Sequence, residues 1–203
     1  MECALLGDGT SDRILIEPIR WLLIEKFPDT AFNFEFTALK KKGSKKRSLN
    51  ERICLALELF PCDVLFVHRD VEKEDYATRL NEVVAACAKC GCEIPVYVPV
   101  LPCRMTEAWF LISEEAIRNA VGNPYGTVKL DLPLARKLER IPDPKKELLA
   151  LLQEATELSA RRLKKFNPFS AIHHTAQHIT DFSPLRVAAS FKELETAIGK
   201  LSV

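Results

Sequence analysis

Residues 63–75 read Asp63-Val64-Leu65-Phe66-Val67-His68-Arg69-Asp70-Val71-Glu72-Lys73-Glu74-Asp75, a short apolar run that opens directly into a cluster of acids. Val64-Leu65-Phe66-Val67 is β-branched and aromatic and lacks the polar alternation of a half-exposed strand. It predicts a strand covered on both faces of a sheet. Such strands present functional groups at their carboxyl ends. Asp70 and Glu72 leave that end with one residue between them, and two carboxylates so close repel unless a proton or a cation sits between them. Hard oxygens without imidazole or thiolate pairs nearby suit magnesium or manganese better than zinc. The bland alternative is a solvated acidic loop after a strand.

The same arrangement occurs upstream. Glu2-Cys3-Ala4-Leu5-Leu6 predicts a first strand that runs straight into Gly7-Asp8-Gly9-Thr10-Ser11-Asp12. The glycines permit a tight turn, and Thr10 or Ser11 is expected to cap a helix carrying Ile14, Ile16, Ile19, Trp21, Leu22, Leu23 and Phe27, with Pro18 in its first turn or at a kink. Asp8 therefore also sits where a strand ends, and its ordinary reading is an Asx turn. Phe32, Phe34 and Phe36 alternate with Asn33 and Glu35, the period of a half-buried strand. Lys40, Lys41, Lys42, Lys45, Lys46 and Arg47 follow as a flexible charged stretch, which is either a solvated loop or a phosphate contact. Ser48-x-x-Glu51 is a capping box opening a helix through Ile53, Ala56, Leu57 and Phe60.

After the acids, residues 76–91 predict a helix stopped by Gly91, and 93–101 a Val-rich strand. In Arg104-Met105-Thr106-Glu107-Ala108-Trp109-Phe110-Leu111, Thr106 can cap a helix whose first turn holds Glu107, a placement the helix dipole favours by itself. Strands alternating with helices predict an α/β domain with a largely parallel, Rossmann-like sheet flanked by helices. Right-handed crossovers place the loops after the strands on one edge. We assign residues 1–125 to this domain. Residues 126–203 form a helical C-terminal extension packed on it as one compact unit, with Pro144 starting a helix through Leu158 and Ser190-x-x-Glu193 capping a last one through Leu201.

Composition sets the remaining bounds. A chain of 203 residues with 47% hydrophobic content buries a proper core. Lys+Arg 29 against Asp+Glu 28 leaves nucleic-acid affinity to a local patch. Seven cysteines, an odd number irregularly spaced, and no basic-then-apolar leader point to free thiols in a reducing cytoplasm. No stretch has the length of a membrane span. Zinc on Cys87, Cys90, Cys92 and Cys103, or on His174 and His178, is the weaker reading, because Cys87 and Cys90 fall on one helix and the histidines lack the Glu of a zinc hydrolase.

Asp8, the pair Asp70 and Glu72, and Glu107 thus each follow a predicted strand. A ring of carboxylates at the carboxyl edge of a parallel sheet suits metal-dependent phosphoryl chemistry, with Arg69, Arg104 and the Lys40–Arg47 run holding flanking phosphates. The sequence from Gly7 to Asp12 resembles the Glu-Gly-x-Thr-Glu turn of TOPRIM-type proteins, and Asp70-Val71-Glu72 falls where they carry Asp-x-Asp. Met105-Thr106-Glu107-Ala108-Trp109-Phe110-Leu111 is similar to the Glu-Ala-Trp segment of a TOPRIM-like bacterial family related to the nuclease domains of overcoming-lysogenization-defect proteins. The resemblance implies a TOPRIM-like fold and a magnesium- or manganese-dependent nuclease or phosphodiesterase in bacterial defence or DNA processing. It makes Asp8 the general acid or base, Asp70 and Glu72 metal ligands, Glu107 part of the same cluster, and an ATPase a candidate partner protein. Asp8 is a methylene shorter than the usual Glu, and Glu72 a methylene longer than the usual Asp. The alternative is a non-catalytic module that binds nucleic acid or a partner protein through the same edge.

Overall fold

A computed structural model describes residues 1–39, 41–42, 45–91 and 94–202. Four strands, β1 (Glu2–Leu6), β2 (Asn33–Thr37), β5 (Val64–His68) and β6 (Val96–Val100), form one parallel sheet in the order β2-β1-β5-β6. A separate two-stranded antiparallel ribbon joins β3 (Lys41–Lys42) to β4 (Lys45–Lys46), where a loop is expected from sequence. β5 is buried along its whole length, as its unbroken apolar run requires, whereas β2 at the edge alternates exposed and half-buried residues.

The pleat sends alternate side chains to opposite faces. Cys3, Leu5, Val64 and Phe66 point to one face, against α1 (Ile16–Lys26), α4 (Glu114–Ala120), α5 (Pro144–Ala155), α7 (Pro168–His178) and α8 (Ala189–Ile198). Ala4, Leu6, Leu65 and Val67 point to the other, against α2 (Leu49–Leu59) and α3 (Tyr76–Ala88). A short α6 (Ala160–Leu163) lies between α5 and α7 in the chain. Trp109 meets Phe191 edge-on at 5.3 Å, and Phe182 meets Trp21 at 6.1 Å, so the C-terminal helices share the core of the sheet. Cys54 of α2 and Cys90 just after α3 form a disulfide, a departure from the expected set of free thiols. No helix among the described residues is long and apolar enough to cross a membrane.

Three helix starts differ from expectation, each because a carboxylate is a stronger acceptor for backbone N–H than a hydroxyl. Residues Thr10–Leu15 form a 3₁₀ turn before α1, and the Asp12 carboxylate, rather than Thr10 or Ser11, receives the N–H groups of Asp8 and Gly9, each at 2.7 Å. Pro18 falls in the first turn of α1. Ser190 does not cap the last helix: Glu139 reaches across from the 3₁₀ turn Ala135–Arg140 and accepts from Ala189 and Ser190 N–H at 3.1 and 2.8 Å. Thr106 lies inside the 3₁₀ turn Thr106–Phe110, and its side chain serves Asp70 instead. The box at Ser48 and Glu51 forms as read, while α3 ends at Ala88 without using Gly91 as its stop.

Candidate active site at the carboxyl edge of the sheet

β1 leads through α1 to β2 on one side of it, and β2 returns through α2 to β5 on the other. The order reverses between β1 and β5, and the crevice outside the carboxyl ends of two such strands is where open α/β sheets take ligands. Asp8 leaves β1 there, and Arg69 and Asp70 leave β5. A cleft of about 540 Å³ opens between them, lined by Asp8, Asp70, Glu72 and Glu82 and by the cations Lys46, Arg47, Arg52, Arg69 and Arg79. Gly7 is needed at its root, because a Cβ there would stand 2.9 Å from the Phe36 ring and 3.1 Å from Asp12 Cβ.

Asp8 is clamped. Arg52 Nη1 donates to its Oδ1 at 2.8 Å and Arg69 Nη1 at 3.3 Å, while Arg52 Nη2 donates to the Gly7 carbonyl. Burial works to raise the Asp8 carboxyl, but the Arg52 hydrogen bond and the charges of Arg69, Arg52 and His68 outweigh it and hold the group below its ordinary range. Arg69 also pairs with Glu82 at 3.1 Å, and Arg79 with Glu82 at 2.9 Å. The Nε donors of Arg52, Arg69 and Arg79 are buried without a hydrogen-bond partner.

Asp70 sits deeper and in a different company. Thr106 donates to its Oδ1 from the backbone at 2.9 Å and from the hydroxyl at 3.2 Å. Fully buried His68 stands behind, with Nδ1 3.0 Å from the Val100 carbonyl. Its Nε2 faces Asp12 Oδ2 at 3.5 Å and Asp70 Oδ1 at 3.6 Å. Burial pushes the Asp70 carboxyl up to about 6 against the pull of the His68 ring; the charges of Asp12 and Glu107 push it further up, and the Thr106 hydrogen bond pulls it down. Glu107 is itself buried and pairs with Lys145 of α5 at 3.2 Å.

The expected ring of acids is therefore drawn together in part. Asp8, Asp70 and Glu72 line one cleft, with Glu107 behind Asp70, but Asp70 and Glu72 do not face each other. Glu72 takes a left-handed backbone (φ 55°), which ends the extended register that would put residues 70 and 72 on one side. Its side chain turns outward to Arg79 at 3.7 Å. Arg104, also left-handed at φ 67°, carries its side chain to a neighbouring pocket with Glu72, Lys73, Glu74, Met105 and Pro142 rather than into the cleft. Lys46 and Arg47 line the cleft; Lys40 and the side chains of Lys41, Lys42 and Lys45 lie outside the described residues. Neither the family models, nor the curated proteins, nor the solved structures compared with this chain match it.

Sequence reasoning missed Arg52, Asp12, His68 and Lys145. Arg52 carried a signal: it lies four residues before Ala56 and beside Ile53, on the apolar face of α2, where an unpaired charge is costly. His68 ends an otherwise apolar strand. Lys145 has no local signature, because its partner comes from a segment 38 residues earlier in the chain. As for the cysteines, burial pushes Cys87 up to about 11 and raises Cys103, which hydrogen-bonds to the Glu139 carbonyl. Cys90 is in the disulfide, and Cys92 lies outside the described residues.

The raised Asp70 carboxyl has a thermodynamic consequence. Folded Asp70 keeps its proton to a higher pH than the unfolded chain, whose carboxyl titrates near the ordinary value of 3.8. Its contribution is present below that value and is lost as pH rises through about 6. The loss is on the order of 2 to 3 kcal/mol at about 1.4 kcal/mol per pH unit. Urea titrations from pH 4 to 8 should show this decline in the wild type and a flatter profile in Asp70→Asn, with the variant more stable above pH 7. Equal profiles would show that the Asp70 environment is not as described.

Proposed function

We propose that the cleft at the β1–β5 crevice is a TOPRIM-like phosphodiester site that binds nucleic acid and supports its metal-dependent hydrolysis. The observation that carries this reading is the gathering of acids and arginines from two adjacent strand ends at the point where strand order reverses. Arg69, Arg79, Lys46 and Arg47 offer cationic donors to a phosphate backbone along the cleft wall. The acids fit a hard divalent cation in kind and in charge. Asp12, Asp70 and Glu107 are carboxylates near enough for Asp12 and Glu107 to raise Asp70, the repulsion that such an ion relieves.

Among the described residues no three Asp, Glu, His or Cys side chains already stand as a ligating group. On this reading Asp70 and Glu107 would hold the ion, with Asp12 behind them. Magnesium or manganese bound there would supply charge to neutralise a phosphate and to lower the pKa of an attacking water. The chain's own residues do the rest. Thr106 fixes the Asp70 carboxylate, and Arg52 fixes the turn that follows β1. The clamping of Asp8 by two guanidinium groups favours a second reading, a module that binds nucleic acid without cleaving it.

Both readings require the cationic wall, and its test is the salt dependence of binding. Lys46→Ala, Arg47→Ala and Arg79→Ala combined should weaken binding of a fluorescent DNA or RNA oligonucleotide. The slope of log K against log salt should fall by roughly 0.7 to 0.9 for each phosphate that is no longer neutralised. An unchanged slope would exclude nucleic acid as the ligand of this wall.

A further inference from the structure

Lys+Arg 29 and Asp+Glu 28 balance over the whole chain, but residues 158–180 hold four Lys and Arg, three His and no Asp or Glu. The four are Arg161, Arg162, Lys164 and Lys165, all exposed and none in an ion pair among the described residues. A run of charges is ordinarily a solvated loop. This one is ordered at both ends. The N–H groups of Arg162 and Leu163 donate to the Ser159 carbonyl at 2.9 Å, and Phe166 donates to the Leu163 carbonyl at 3.1 Å and packs its ring on the core. Asn167 then caps α7, its side chain accepting from the N–H groups of Phe169 and Ser170 at 3.2 and 3.4 Å.

That cap fixes Phe169 in the first turn of α7, where its ring is 58% exposed. An open aromatic beside cations is how proteins hold single-stranded nucleic acid: phosphates meet the cations, and an unstacked base meets the ring. The Lys145 ammonium lies 5.8 Å from the ring centre and 3.2 Å from Glu107 Oε1, so the patch reaches the edge where the cleft acids stand. One turn along α7, His173 shares the face of Phe169 by its i, i+4 spacing. With Gln177, Arg13 and Arg20 it lines a cavity of about 200 Å³. Glu17 in that cavity is matched by Arg20 at 3.6 Å, while Arg13 is in no ion pair among the described residues. A membrane surface asks for a wider apolar face, and the other exposed residues of α7 are Ser170, His174, Gln177 and His178, all polar.

We propose that the C-terminal extension binds single-stranded nucleic acid across α6 and α7, with Arg161, Arg162, Lys164 and Lys165 on its phosphates and a base stacked on Phe169. This deepens the nucleic-acid reading of the cleft, on which it rests, by naming single strands as the substrate. A duplex keeps its bases stacked on one another and offers the ring none.

The test is fluorescence anisotropy of the full chain, in chelator so that nothing is cut, on a labelled oligo-dT strand and on a duplex of the same length. Phe169→Ala should weaken strand binding about tenfold and duplex binding by less than about twofold, and Phe169→Trp should keep strand binding within about twofold of wild type. Arg161→Gln, Arg162→Gln, Lys164→Gln and Lys165→Gln combined should lower the slope of log K against log salt for the strand by roughly 0.7 for each phosphate no longer neutralised. All these changes fall on exposed side chains, and thermal melting confirms that each variant is folded. Strand binding that is unchanged in Phe169→Ala and in the fourfold variant, but falls in the Lys46, Arg47 and Arg79 variant, overturns this inference and leaves the cleft reading standing. Equal losses on strand and duplex in Phe169→Ala overturn the single-strand assignment. Absence of binding to either by wild type overturns both readings, and binding to phosphatidylserine vesicles in that case would make the patch a membrane contact.

Discussion

Replacement of Arg52 by Met should lower stability by about 3 kcal/mol, a fall in melting temperature of roughly 6 to 12 °C for a chain of this size. The guanidinium is buried, with its side chain 3% exposed, and it satisfies both the Asp8 carboxylate and the Gly7 carbonyl at the end of β1. Met fills a similar volume, so the loss is that of the ion pair and not of a cavity, and it leaves Asp8 to Arg69 at 3.3 Å. Deprived of its strongest opposition to burial, the Asp8 carboxyl should also rise toward its ordinary range or above it. Arg69→Met is the matched control. That side chain is 21% exposed and contacts Asp8 at longer range, so it should cost under about 1.5 kcal/mol. Urea denaturation of both variants decides the matter, and an Arg52→Met protein as stable as Arg69→Met would show that the clamp does not hold the β1 turn.

The sheet was legible because its strands are short apolar runs with the right periods: β1 matches the expected span residue for residue, and β5 is buried throughout. Helix starts were less legible, since backbone N–H groups there go to carboxylates rather than to the nearest hydroxyl: to Asp12 within the same turn, and to Glu139, which the fold brings from 50 residues away. The candidate site divides in the same way. Asp8 and Asp70 stand just past strand ends as expected, since a strand's carboxyl terminus is set by local pattern, whereas Glu107 lies in the 3₁₀ turn Thr106–Phe110, beyond the end of β6 at Val100. What each acid meets is a long-range matter: Arg52 lies 44 residues from Asp8, and Thr106 lies 36 residues from Asp70. The outward turn of Glu72 stems from one left-handed residue, and a Glu at that position gives no hint of it.

Asp70→Asn should abolish cleavage while leaving the protein folded and able to bind nucleic acid. Asn keeps the shape of the side chain and an oxygen for the Thr106 N–H and hydroxyl. It removes the negative charge that a divalent cation requires. The cationic wall of Lys46, Arg47, Arg69 and Arg79 is untouched, so affinity should change little. The rate should fall by at least about a thousandfold, the scale of a lost acid–base or metal-holding group. The most direct measurement is therefore hydrolysis of single- and double-stranded DNA and RNA by wild type and Asp70→Asn, with magnesium, with manganese and with chelator, at protein concentrations that saturate binding. Metal-dependent cleavage is expected from wild type and none from a well-folded, nucleic-acid-bound Asp70→Asn. Cleavage at the wild-type rate by Asp70→Asn, or binding by wild type with no cleavage under either metal, would contradict a metal-dependent phosphodiester site at this edge.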